Sequence, residues 1–152
     1  MKIINKDILT VDRGVIVQQV NCQGAMKSGV ALGIRNKWPI VFEYFEKYFQ
    51  LTPQYKLLGT IQFIQVEPKL YVVNLFGQDK FGYDGKRYTS YGAWEKALPE
   101  IKSMKEAKAL ALEPIYFPFL CGCDRGGGNW HIISAMIEEY FPDAIFCNFN
   151  PK

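Results

Sequence analysis

The sequence holds a single histidine, His131, and only four cysteines, Cys22, Cys121, Cys123 and Cys147, in 152 residues. It has no Cys-x-x-Cys pair and no second histidine, so the paired ligand sets of zinc sites are missing. We therefore expect no metal and no cofactor. Charge of one sign is also scarce: 18 Lys and Arg against 15 Asp and Glu leave +3. That balance permits an anionic ligand but falls short of the concentrated basic face of a dedicated nucleic-acid binder. No apolar run reaches the roughly 18 residues that a membrane span requires, so no membrane partner is expected. Charged residues interrupt the sequence directly around Met1-Lys2-Ile3-Ile4-Asn5, unlike the long apolar core of a secretory leader. The expectation is a cytoplasmic protein whose thiols stay free in a reducing compartment. Neither GxxxxGK[ST] nor a GxGxxG opening the first helix is present, which removes the two commonest nucleotide loops.

What is there is apolar and aromatic. Hydrophobic residues make up 49% of the chain and aromatics 15%, enough for the core of one domain. No linker, repeat or low-complexity tract divides it, so residues 1–152 read as a single domain. Val15–Val20 (VIVQQV) is a β-branched run of the kind buried in parallel sheets. A small-residue loop follows, then helical spacing from Val30 to Ile34, with Ser28 placed to cap it. Pro39 suits the first turn of a second helix carrying Val41, Phe42, Tyr44, Phe45, Tyr48 and Phe49 at three- and four-residue steps. Two strands are predicted over Thr60–Val66 and Lys69–Phe76, with a tight turn at Glu67-Pro68. Residues 79–92 read as an exposed loop, and Ala93–Ala111 as a helix from its Ala, Leu, Lys and Glu content. Pro114–Cys121 and Ala144–Phe149 read as strands around a helix over Asn129–Phe141. His131 falls in the first turn of that helix and is expected to face solvent. Strands alternating with helices imply an α/β layer architecture with a largely parallel sheet.

Two loops stand out, residues 21–29 and 121–129. Each follows an apolar strand and precedes a helix, where open α/β sheets bind their ligands. Glycine lets successive backbone N–H groups turn toward one point, and a helix N-terminus adds partial positive charge. The pair suits an anion such as a pyrophosphate, although glycines also serve simply to make tight turns.

The residues of these loops resemble a known family. Val20-Asn21-Cys22-Gln23-Gly24-Ala25-Met26-Lys27-Ser28-Gly29-Val30-Ala31 is similar to the "VN..G.MG.GvA" signature of macrodomains. Asn74-Leu75-Phe76-Gly77-Gln78 resembles "NLFTQ", Arg87-Tyr88-Thr89-Ser90-Tyr91-Gly92-Ala93 resembles "RYTDYDAL", and Cys121–Trp130 resembles "IGCGLAGGDW". These segments point to the branch of ADP-ribose-1''-phosphate phosphatases (Appr-1''-p processing), near the terminal ADP-ribose protein glycohydrolases. The resemblance implies a three-layer α/β/α macrodomain fold with a mixed, largely parallel central sheet. It implies a ligand that is ADP-ribose or its 1''-phosphate, and we expect a monomer.

By that analogy Asp7, beside Ile8, takes the position that meets the adenine amino group, and Phe149 the place of an aromatic flanking the adenine. From the residues alone, without the resemblance, Asp7 reads as a turn residue and Phe149 as core. Asn21, Gly24, Ala25, Met26, Ser28, Gly29 and Val30 would lie along the distal ribose, with Gln78 beside them. Cys121, Gly122, Cys123, Asp124, Arg125, Gly126 and Gly127 would wrap the diphosphate. Cys123 matches an ordinary family cysteine, so the Cys-x-Cys pair needs no metal or redox role.

The chain departs from the family's catalytic patterns. Gln78 stands where glycohydrolase-like relatives carry a lysine, and an amide cannot form a Schiff base with an opened ribose. Their acidic residue aligns with Gly126, the histidine of yeast-type phosphatases with Gln18, and the acid of "GGDW" with Asn129. The remaining catalytic candidates are Asn21, which can orient a hydroxyl or water, and Asp124, either a general base or one half of a surface pair with Arg125. Three functions stay open: phosphatase on the 1''-phosphate, reader or scavenger of ADP-ribose without turnover, and lysine-independent hydrolase of an ADP-ribosylated protein or nucleic acid. For the last, Lys80, Lys86, Arg87 and the tyrosines of residues 79–92 would meet the acceptor.

Overall fold

The computed structural model describes residues 1–27, 29–80, 86–123 and 126–150. Along the chain run β1 (Lys2–Ile4), a 3-10 turn (Ile8–Thr10), β2 (Gly14–Asn21), α1 (Gly29–Lys37), α2 (Pro39–Leu51) and α3 (Gln54–Leu57). Then come β3 (Ile61–Glu67), β4 (Leu70–Gln78), α4 (Tyr91–Ala107), β5 (Ile115–Pro118), α5 (Trp130–Tyr140) and β6 (Ile145–Cys147). The six strands form one sheet in the order β1-β6-β5-β2-β4-β3. Every pairing is parallel except β3 with β4, which the tight turn after Glu67 joins as a hairpin. The expected mixed, largely parallel sheet is what the chain forms.

Side-chain alternation sorts β2 and β4 onto two cores. Val15, Val17, Val73 and Leu75 pack with Trp94, Leu98 and Ile137 beneath α4 and α5. Ile16, Val20, Val72 and Phe76 pack with Ile34, Val41 and Phe45 beneath α1 and α2. Three layers result, because a strand buried on both faces needs helices on both. Five strands run the same way, so the loops after β1, β2, β4, β5 and β6 emerge at one edge of the sheet. That edge carries both glycine-containing loops.

Several boundaries differ from the sequence reading, each for a visible reason. Helix α4 starts at Tyr91, two residues early, because Ser90 accepts a hydrogen bond from the Ala93 N–H and caps it. It stops at Ala107 rather than Ala111: Ala109 adopts φ +59°, and Lys105 Nζ curls over to Ala111 O and Glu113 O. Strand β5 ends at Pro118 instead of Cys121, where Leu120 turns with φ +61°. Of the exposed loop expected over residues 79–92, Asp79, Lys80, Lys86 and Arg87 are exposed, but Thr89 is buried and bridges to Gln78; residues 81–85 lie outside the described ones. Strand β6 ends at Cys147, so Phe149 lies beyond it and is 54% exposed, neither strand nor core. Strand β1, the 3-10 turn and α3 carried too few residues for a periodic signal. Pro39 opens α2 as expected, Asn129 and Phe141 cap α5 at its two ends, and His131 is exposed.

Phe45 of α2 stacks on Phe76 of β4 with ring centroids 5.6 Å apart and planes 15° from parallel. Both rings are fully buried. We expect Phe45→Ala to lose about 3–5 kcal/mol of stability through the cavity it leaves. Urea unfolding checks this: the midpoint should fall while the slope stays constant.

Candidate functional site

At the loop-bearing edge a cleft of about 390 Å³ opens between the end of β2, the start of α1 and the segment after β5. Its floor is Gln18, Gln19, Val20 and Asn21, the last residues of β2, with Gln78 of β4 beside them. One wall is Ala25, Met26, Lys27, Gly29 and Val30; the other is Phe119, Leu120, Cys121, Gly122 and Gly126. Nine sequence-predicted residues thus line one cavity: Asn21, Ala25, Met26, Gly29, Val30, Gln78, Cys121, Gly122 and Gly126. Gly24, Cys123 and Gly127 belong to the same loops without lining it. Asp7, Ile8 and Phe149 follow β1 and β6 at the same sheet edge, farther along. Ser28, Asp124 and Arg125 lie outside the described residues.

Asn21 organises the first loop. Its Oδ1 accepts from the Gln23 and Ala25 N–H groups at 3.0 and 3.3 Å, and its Nδ2 donates to Ala25 O at 2.9 Å. This asparagine turn folds residues 21–25 back on themselves at the strand end. Three bonds to the loop occupy the carboxamide that sequence reasoning assigned to a ribose or a water. Asp7 is likewise engaged, accepting from the Leu9 N–H at 3.0 Å to cap the 3-10 turn.

The glycine-rich loop is held from its carbonyl side. Gly126 O accepts from the N–H groups of Tyr88 and Thr89 at 2.7 and 2.8 Å. Gly122 O accepts from Gly128 N at 2.8 Å and from the Thr89 hydroxyl at 2.7 Å. Contact is so close that a Cβ on Gly126 would sit 2.2 Å from Thr89 Oγ1. The lock consumes oxygens; neither glycine's N–H is engaged in it. Asn129 then caps α5, accepting from the His131 N–H at 2.8 Å.

A residue missed from sequence ties these parts together. Gln19 Oε1 accepts from the Trp94 indole N–H at 2.7 Å, and its Nε2 donates to Gln78 Oε1 at 3.0 Å and Thr89 Oγ1 at 3.1 Å. An indole nitrogen only donates, so Trp94 fixes which end of the Gln19 amide is oxygen. Gln19 in turn fixes Gln78, whose oxygen is taken and whose NH₂ is left for a ligand acceptor. The signal was present in the sequence as two adjacent glutamines closing an apolar strand.

The cysteines divide between the two faces: Cys121 packs under α4 and α5, Cys22 and Cys147 under α1 and α2. Burial pushes the Cys22 thiol up to about 12, helped by Asp79, and lifts Cys123 and Cys147 to about 11. Burial raises Cys121 as well. With pKa values this high, thiolate is roughly a thousandth or less of each at pH 8.

No family model matches the sequence, and no curated protein does. Solved structures do match. A protein of unknown function from Bacteroides thetaiotaomicron superimposes with a TM-score of 0.84 at 26% identity, covering 98% of this chain and 97% of that one. The macrodomain of Mycobacterium tuberculosis DarG superimposes with a TM-score of 0.77 at 18% identity, over 99% and 97% of the two chains. Thermosipho africanus DarTG in complex with ADP-ribose gives 0.77 at 14% identity, over 98% of this chain and 41% of that one. The fold of this chain is the macrodomain fold.

Two outcomes are expected. Gly77→Ala places a methyl 2.6 Å from Trp94 Nε1 and 2.7 Å from Gln19 Oε1. It should break their hydrogen bond and cost about 1–3 kcal/mol, seen as a lower melting temperature and a changed Trp94 indole N–H resonance. In the native protein at pH 8, a disulfide reagent should modify the thiols slowly, and all four cysteines should react at once after guanidinium unfolding.

Proposed function

We propose that the chain binds ADP-ribose in this cleft and hydrolyses the 1''-phosphate from ADP-ribose-1''-phosphate. The observation carrying the binding is the cleft itself. Its walls are the two loops whose residues match the macrodomain signatures, at the strand ends of a fold shared with a protein solved with ADP-ribose. The dipoles available there suit that ligand. Glycines held by their carbonyls keep backbone N–H groups free for a diphosphate, Lys27 adds a cation at the rim, and Gln78 offers an amide donor.

In the phosphatase reaction water oxygen bonds to phosphorus and the bond from phosphorus to the sugar oxygen breaks. The products are ADP-ribose with a free 1''-hydroxyl and inorganic phosphate. Asp124 takes the proton of the attacking water and returns it to the departing 1''-oxygen, and Asn21 sets the wall of the loop against which the sugar rests. The branch-specific segments at residues 74–78 and 87–93 favour this substrate, and Gln78 in the lysine place speaks against a Schiff-base route.

A second reading, a reader that holds ADP-ribose without turnover, is favoured by the three hydrogen bonds that tie the Asn21 carboxamide into its own loop. Calorimetry with ADP-ribose and a phosphate-release assay with its 1''-phosphate separate the two. We expect binding, together with phosphate release that Asp124→Ala abolishes. Binding with no release leaves the reader, and no binding rejects both. Asn21→Ala, by loosening the loop, should weaken ADP-ribose binding about tenfold or more.

A further inference from the structure

On the α1 and α2 side of the sheet, three carboxamides stand side by side across three strands. Gln18 of β2 is in register with Asn74 of β4, which is in register with Gln62 of β3. They form one directional chain. Gln62 Nε2 donates to the backbone carbonyl of Tyr44 in α2 at 2.9 Å, and Asn74 Nδ2 donates to Gln62 Oε1 at 3.0 Å. Gln18 Nε2 donates to Asn74 Oδ1 at 2.8 Å. A carbonyl accepts only, so the Tyr44 end sets the polarity of every amide behind it. Reversing any one of them would face oxygen against oxygen.

The far end of the chain is therefore an acceptor. Gln18 lines the cleft floor and is 2% exposed, and its Oε1 is buried with no hydrogen-bond partner. It is the one such side-chain atom among the described residues. An acceptor left in this state is costly, and a donor entering the cleft relieves it.

We propose that Gln18 is a specificity-determining residue that accepts a hydrogen bond from a ligand hydroxyl. On the ADP-ribose reading, on which this rests, the donor is a ribose hydroxyl. A phosphate carrying its full charge offers no proton, so this part of the floor rejects phosphate and selects sugar. Gln78, polarised through Gln19 and Trp94, presents the opposite end of its amide. The cleft floor thus reads two polarities: Gln18 takes a donor and Gln78 takes an acceptor.

Calorimetry with ADP-ribose and with analogues each lacking one ribose hydroxyl tests this. One analogue should bind the wild-type protein about tenfold more weakly than ADP-ribose, as expected for one lost hydrogen bond to a buried acceptor. Gln18→Met should bind that analogue and ADP-ribose alike. Gln62→Met, outside the cleft, releases the polarity of the chain and should erase part of the discrimination, which a merely space-filling Gln18 would not do. It also carries the test if Gln18→Met fails to fold. Analogues that lose equally on wild type and both variants overturn the proposal, leaving an ordered water as the partner of Oε1. A wild-type protein that takes no ADP-ribose sinks the functional reading alone. The side-chain carbonyl ¹³C resonance of Gln18 with D-ribose 5-phosphate then decides: a shift retains the proposal, and no shift overturns it.

Discussion

The hydrogen bond from the Trp94 indole to Gln19 Oε1 is the constraint on which the loop-bearing edge depends. Because the indole has one hydrogen to give and nothing to accept, it removes the ambiguity of the Gln19 amide. Gln19 then donates to Gln78 at the end of β4 and to Thr89 ahead of α4, and the Thr89 hydroxyl donates to Gly122 of the glycine-rich loop. Gln19 thus ties β2 to β4 and to the start of α4 directly, and to the glycine-rich loop through Thr89. Gly77 is glycine for this reason: its backbone is ordinary, but a methyl there would occupy the space of the indole and the amide.

The cleft that follows is built from dipoles more than from charges. Four amides, Gln18, Gln19, Asn21 and Gln78, lie along its floor, the glycine-rich wall is fixed through its carbonyls, and Lys27 stands at the rim. An anionic ligand in such a site gains from N–H groups that are already oriented and so cost little reorganisation. Strong fixed cations would add attraction to any phosphate; oriented amides discriminate among them by geometry. A net charge of +3 over the chain agrees with that economy.

The sheet, its two helical layers and both glycine loops were legible in the sequence because each rests on a period or a turn residue. Val15–Val20 and Phe42–Phe49 declare their structure by spacing alone. The short pieces Lys2–Ile4 and Gln54–Leu57 contain fewer than two full periods, so no repeat could show. Exposure was misjudged at Thr89, where a polar residue in a polar segment is buried by partners 70 residues earlier and 33 residues later. The same limit hid the site's polar frame. Gln18 and Gln19 look like the polar end of a strand until Asn74, Gln78 and Trp94 are placed beside them.

Strand geometry explains why two neighbouring glutamines do different work. Successive side chains leave a strand on opposite faces, so Gln18 enters the α1 and α2 layer and Gln19 the α4 and α5 layer. Each finds an obligate partner in its own layer: a backbone carbonyl of α2 reached through two amides, and the indole of α4. One partner only accepts and the other only donates, so the two layers impose opposite polarities on adjacent residues. Where β2 ends and the layers part, Gln18 and Gln78, the last amides of the two systems, line the same cavity. The polarity of the amides along this cleft is therefore set by the helices on either side of the sheet as much as by the loops that form its walls.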